Sequence, residues 1–237
     1  MITMRDIVWR PLILVCALIL VPVVSQLGAQ ELSLEENDLF FEQPRLLVEE
    51  NSYFPLALSD SERLHVIYEE LVEQGPEEGE IYISMATSER GREWEYNTRI
   101  AGPISYEASN PPVVFSAEIT ESGDIYLVVL ESATTTRILV SRNGGDSFRT
   151  ATTLETEQTS VAPRLFATGD GGLLLFVNQS VGATQSILYS HSSNGRQWSE
   201  LQEFVQDDDV GFNFLPDHTS LGGREYVVFQ SVDPNEA

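Results

Sequence analysis

Apolar and polar positions alternate along this chain in short blocks, and four blocks are continuously apolar: LHVIY at 64–68, IYLVVL at 125–130, LLLFV at 173–177 and YVVF at 226–229. Runs this short, bounded by turn residues, predict strands buried on both faces rather than helices. Each is preceded by a strand-like stretch containing a proline (Pro55, Pro112, Pro163 and Pro216), and these prolines lie 57, 51 and 53 residues apart. Polar turns join stretch to run, SDSE, ESGD, GDGG and GGR in order. Three of the runs are followed by a third strand (EIYIS, RILVS, SILYS) and a fourth (WEYNTRI, FRTATTL, WSELQEFV). The pattern therefore predicts an all-β chain with four antiparallel strands in each period of about fifty residues.

Between the third and fourth strands of each period lies a recurring turn: TSERGREW at 87–94, SRNGGDSF at 141–148 and HSSNGRQW at 191–198. A small polar residue or His stands four before a glycine, a carboxylate, Asn or Ser two before it, and an aromatic three after it. The glycine supplies positive φ. The Asx or Ser side chain binds nearby backbone N–H groups, and the aromatic opens the next strand. The three glycines are 54 and 50 residues apart. These turns resemble the Asp-box, Ser-x-Asp-x-Gly-x-Thr-Trp, of the sialidase-type (BNR repeat) β-propeller superfamily. SRNGGDSF matches well, with Asn143 in the Asp position, and the other two are degenerate. The resemblance implies radial four-stranded blades, six to a ring. That architecture buries both faces of every blade, whereas a tandem sandwich needs about 100 residues per core, twice this period.

In this register the blades are expected at about 53–102, 111–156 and 162–206, with half a blade at 213–232. Residues 40–48, within FFEQPRLLVEEN, resemble the outgoing strand after each box and are expected to close a ring as an outer strand. Six blades need roughly 300 residues at this period, so the expectation is about half a ring, either the N-terminal part of a longer protein or a truncated reading frame, with assembly of two halves into a ring as the alternative. At the other end, Arg5 and Arg10 precede an apolar run at 11–24, followed by SQLGA. That is the layout of a secretory signal peptide. It predicts a leader at 1–29, an acidic segment at 30–39, and a protein exported to the periplasm or the extracellular space with no stable membrane insertion after cleavage.

Composition narrows the partners. The 237 residues hold 37 acids against 13 basic residues, all Arg, for a net charge of −24. Such a chain is repelled by nucleic acid. Its one Cys, inside the apolar leader, excludes a disulfide framework and a Cys-based zinc site.

The resemblance also implies that the boxes lie away from the functional face. Their residues are read as structural: Thr87, Glu89, Gly91 and Trp94; Ser141, Asn143, Gly145 and Phe148; His191, Ser193, Gly195 and Trp198. The functional face should carry the loops entering each first strand and those joining second to third strands. There the candidate binding residues are Glu69, Glu107, Arg164, Asp207, Asp208 and Asp209, and residues 69–80 read as a flexible acidic insertion. Sialidases hold the substrate carboxylate with three Arg, one in Arg-Ile-Pro, and add an Asp acid/base and a Tyr–Glu pair. The counterpart here is Tyr53-Phe54-Pro55, without Arg, and most other Arg residues stand in boxes or outer strands. No catalytic residue, metal site or cofactor is assigned. His65 and His191 are read as structural, and Asn178-Gln179-Ser180 as a chance glycosylation pattern. The expected function is a non-catalytic exported propeller binding a protein or a glycan. The alternative is a sialidase-type glycoside hydrolase whose catalytic residues lie mostly outside this chain.

Overall fold

The computed structural model describes residues 52–232 apart from 61, 74, 76–77, 90, 92, 108–113, 182–183 and 205–211. The leader, the acidic segment and the ring-closing strand expected within 1–48 lie outside the described residues, as do Asp207, Asp208 and Asp209. The described residues contain no helix, hence none long and apolar enough to cross a membrane.

The fold is all-β, a β-propeller present as part of a ring. In the first blade, β1 (Ser52–Ser59), β2 (Leu64–Glu73), β3 (Glu78–Ser88) and β4 (Glu95–Glu107) pair antiparallel in chain order. In the second, β5 (Phe115–Ile119), β6 (Ile125–Leu130), β7 (Thr135–Ser141) and β8 (Arg149–Glu155) do the same. The third holds β9 (Thr159–Ala167), β10 (Leu173–Val181), β11 (Thr184–Ser192) and β12 (Gln202–Glu203), followed by the hairpin β13 (Phe212–Leu221) and β14 (Arg224–Val232). One parallel pair, Gln185 with Phe212, joins β13 to β11, so the third sheet counts six strands.

Each apolar run lies in the second strand of its blade, and in the middle blade alternate residues of that strand serve two different cores. In β6, wholly buried, Ile125, Leu127 and Val129 pack with Ile67, Ile81, Ile83 and Met85 of the first blade. Tyr126 and Val128 of the same strand pack with Leu165, Leu173, Leu175 and Val177 of the third. Side chains alternate across a strand, so a run without polar interruption is what a sheet needs between two neighbours.

Three of the four first strands, β1, β9 and β13, carry a bulge at proline, while β5 pairs in continuous register. The register slips between Tyr53 and Leu56 in β1, opposite Phe176 and Asn178 in β9, and between Phe214 and Asp217 in β13. Pro55, Pro163 and Pro216 lie inside these three slips. The residue before proline has φ +50° at Phe54 and +48° at Ala162, left-handed values that cost a side chain about 1 kcal/mol or more.

Two points differ from the sequence reading. The described residues at 69–73 and 78–80 are strand ends rather than a flexible insertion: β2 runs to Glu73 and β3 starts at Glu78, so Glu69, Glu70 and Glu80 are strand residues. The acids there alternate with Ile67, Leu71 and Ile81, which bury that stretch. The fourth strand of the third blade is reduced to two residues. Ser199 instead holds this segment to β11, its N–H donating to the His191 carbonyl at 2.9 Å while its carbonyl accepts the Ser190 hydroxyl at 2.7 Å.

The three box glycines all have positive φ, +70° at Gly91, +91° at Gly145 and +66° at Gly195. In the second turn the Ser141 hydroxyl donates to Asn143 Oδ1 at 2.8 Å and accepts the Gly145 N–H at 2.9 Å. Asn143 Oδ1 also accepts the Ser147 N–H at 3.1 Å. Phe148 packs on the first core and Trp198 on the second. In the first turn buried Thr87 pairs with His65, Glu89 is exposed, and Trp94 is half-buried. The third turn is shifted by one residue. Asn194, not Ser193, accepts the N–H groups of Arg196 and Gln197, and Ser192 is buried while His191 and Ser193 are exposed. The physical reason is that β11 points Ser192 inward and His191 outward.

Two of these glycines meet the preceding blade. A Cβ on Gly145 would overlap the Met85 methyl, and one on Gly195 would overlap the Tyr126 ring, whereas Gly91 faces open space. Gly195→Ala should lose about 3 kcal/mol, combining left-handed strain with overpacking against the Tyr126 ring, and Gly145→Ala about 2 kcal/mol, because the Met85 methyl is the end of a flexible side chain. Gly91→Ala should lose only about 1 kcal/mol. Denaturant unfolding of the three variants checks this, and equal losses at all three positions would contradict the packing account.

Candidate functional site

The box turns occupy one end of the blades. At the opposite end β1 and β3 begin and β2 and β4 finish, and here the first blade concentrates unusual side chains. In β2, Ile67, Glu69 and Leu71 lie on one face at strand spacing, and all three are buried. Glu69 has no exposed surface. Its Oε1 accepts the Val114 N–H at 2.8 Å, a bond from the second blade to the first, while Oε2 has no partner. Burial pushes its carboxyl up to about 7, partly opposed by the Val114 N–H. Near neutral pH it is thus shared between the neutral and charged forms.

Tyr53 pairs with Glu69 across β1 and β2. Tyr53 and Phe54 are 41% and 42% exposed, with ring centroids 6.5 Å apart, and Phe54 is held in the strained bulge before Pro55. A bulge re-aims the side chain it carries, and here it leaves two neighbouring aromatic rings in solvent. Partial burial, with Glu73 and Tyr53 nearby, raises the Tyr106 phenol above its usual range. The chemical content of this end is two aromatic faces, a phenol and a proton held inside the wall.

Of the predicted binding residues that are described, Glu69 and Glu107 lie at this end of the first blade, and Arg164 lies in the third blade. Glu69 was expected on an exposed binding face and is instead sealed between blades, because position 69 shares the inward side of β2 with Ile67 and Leu71. Glu107 ends β4, paired along the backbone with Glu78. Arg164 is exposed on β9, opposite Phe176, in the third blade. Glu70 is not a free acid either: Arg99 Nη2 lies 3.0 Å from its Oε1 and stacks 4.0 Å above the Tyr82 ring, whose hydroxyl donates to Glu80 at 2.8 Å. These contacts hold part of the expected acidic field inside the first blade. His65 is buried, its Nδ1 3.0 Å from Thr87 Oγ1 and its imidazole held below the usual range by burial. Asn178 is 3% exposed in β10, out of reach of glycosylation in this fold. Among the described residues no group of three or more His, Cys, Asp or Glu is placed to hold a metal. The sequence marks Tyr53-Phe54-Pro55 only as the counterpart of Arg-Ile-Pro and does not show that the two rings are exposed. The repeated proline marks the bulge but not what the bulge exposes.

No family model matches the chain, and no curated protein matches it in sequence. Among solved structures, an α-L-arabinanase of Penicillium chrysogenum complexed with arabinobiose superposes at a TM-score of 0.53 and 14% identity, over 78% of this chain and 58% of that one. A polysaccharide lyase, the ulvan lyase of family PL25, gives 0.53 and 14% over 74% of this chain and 44% of that one. The chain therefore spans about half the length of these two structures. What the likeness establishes is the fold.

The raised Glu69 value sets a pH dependence. The folded state holds this proton more tightly than the unfolded chain, whose Glu titrates near 4.5. Its contribution is therefore complete below about pH 4.5 and is lost as pH rises through about 7. Glu69→Gln, which keeps an acceptor for Val114, should flatten the stability curve between these limits. At pH 8 it should stabilise the fold by roughly 2 kcal/mol. Urea melts of both forms from pH 4.5 to 8 test this, and parallel curves would refute it.

Proposed function

We propose that this chain is an exported, non-catalytic β-propeller module of sialidase-superfamily type that binds a glycan, with Tyr53 and Phe54 as its stacking surface. The observation that carries this reading is the exposed aromatic pair, held by a strained bulge at the blade end opposite the boxes. The C–H face of a sugar ring is apolar and packs on aromatic faces, which supply large rigid contact area at low entropic cost. The two superposed structures, an arabinanase and a polysaccharide lyase, support a glycan over a protein as ligand. The leader-like N-terminus and the redox-indifferent composition support export.

Against catalysis by the described residues stands Glu69 itself. Glycoside hydrolysis needs two carboxyl groups facing the substrate, and the side chain with a general acid's pKa is shut off from solvent and tied to the Val114 backbone. The second reading is a sialidase-type glycoside hydrolase whose catalytic residues lie mostly outside this chain, and the arabinanase and lyase superpositions support it.

Binding to a panel of soluble neutral polysaccharides, measured by affinity electrophoresis and calorimetry on the full chain, tests the first reading. Tyr53→Ala and Phe54→Ala should each weaken binding about tenfold, the equivalent of about 1.4 kcal/mol, with the far-ultraviolet spectrum unchanged. Unaltered binding in both variants would overturn the assignment of the surface. Turnover of aryl glycosides or sialosides would establish the second reading in its place.

A further inference from the structure

Arginine is this chain's sole cationic residue besides histidine, and three of its thirteen Arg meet in one groove. The groove, about 390 Å³, lies at the box end between the second and third blades, with Arg142, Arg149 and Arg196 around a floor of Val140, Ala151 and Gly195. The fold brings them together in three steps. Arg142 follows Ser141 in the second box turn. Arg149 opens β8, directly opposite Val140. Arg196 comes from the third blade, carried over the second by Gly195, whose bare Cα sits against the Tyr126 ring.

The preceding junction repeats the cradle with the opposite sign. Between the first and second blades a groove of about 810 Å³ is lined by Ser88, Glu93, Trp94, Glu95 and Asp146, with Arg63. Position by position along the boxes, Ser88 corresponds to Arg142, Glu95 to Arg149 and Asp146 to Arg196. The turn geometry accepts an acid or a hydroxyl at every one of these places, so it does not itself demand arginine. In the acidic cradle Arg63 neutralises part of the charge, donating to the Gly144 carbonyl at 3.1 Å and lying 3.5 Å from Asp146. In the basic cradle the compensation is smaller: Arg142 Nε lies 3.4 Å from Asp124, while Arg149 and Arg196 are exposed and make no ion pair among the described residues. Like charges gathered on a concave surface repel one another, and a bound anion relieves that repulsion.

We propose that this groove is a binding site for a small oxyanion, a single sulfate, phosphate or carboxylate group, held by the guanidinium forks of Arg149 and Arg196 with Arg142 behind them. Planar guanidinium groups donate paired hydrogen bonds to such groups. A net charge of −24 disfavours a long polyanion. A single anionic group is opposed only by nearby acids, because at about 150 mM salt charges beyond roughly 8 Å are screened. The site lies at the opposite end of the blades from Tyr53 and Phe54 and does not depend on the function proposed for them.

Calorimetry on the full chain at about 150 mM salt, with inorganic sulfate, inorganic phosphate, galactose 6-sulfate, galacturonate and neutral galactose as probes, tests the site. Saturable binding of at least one anionic probe, none of galactose, and about tenfold weaker binding in each of Arg149→Gln and Arg196→Gln is expected. Arg224→Gln, at the distant hairpin turn, should leave binding unchanged. Glutamine keeps much of the stem that packs on the floor, so a folding defect is separable by circular dichroism. Tighter binding of the sugar sulfate or the uronate than of the free ions assigns the group to a sugar substituent, and equal binding assigns it to a free anion. No saturable binding of any anionic probe up to about 10 mM, or binding that survives both substitutions, would overturn the proposal.

Discussion

The rest of this structure depends on one constraint: no blade can bury its own second strand. Ile125, Leu127 and Val129 need the first blade, while Tyr126 and Val128 need the third. Sheets that share a strand's two faces in this way must approach closely along their whole length. At the box end the approach is set by glycine. Met85 and Tyr126 occupy the space that a side chain on Gly145 or Gly195 would claim. At the second and third boxes the turn signature is therefore also a spacer of zero size between neighbouring sheets, while at Gly91, which faces open space, the positive φ alone calls for glycine.

The drift of the polar residues around these glycines marks the limit of what the sequence made legible. The apolar runs, the prolines and the glycines named the strands and their order, because burial on both faces leaves no room for polar interruption and positive φ leaves little choice of residue. Polar detail was less readable. In the third box the capping role moved from Ser193 to Asn194, since either residue type can serve and only the facing of β11 decides. Glu69 was misread because EELVEQGPEEGE looks like a solvated stretch by composition. The alternation of Ile67, Glu69 and Leu71 was the available signal that one of its acids points inward. Charge counts said where acids were numerous but not that Arg99 and Tyr82 would engage Glu70 and Glu80.

The two ends of the blades thus carry different chemistry from the same repeat. At one end the first strand's bulge exposes rings, and the one strongly perturbed carboxyl is sealed within the wall. At the other, equivalent positions around consecutive turns carry acids at one junction and arginines at the next. The repeat fixes backbone geometry and packing, and leaves the surface positions free to diverge from blade to blade.

The prolines in the first strands have a consequence beyond bending them. Of these strands β1 and β9 are sheet edges, and flat unpaired edges hydrogen-bond to one another and would fuse the blades into a single continuous sheet. Pro55, Pro163 and Pro216 each delete a donor, and the slip around each breaks the even spacing that lateral pairing requires. Where such fusion does occur, between β11 and β13, it stops at a single residue pair. The blades are in this sense insulated against their own edges, which keeps them as separate leaves.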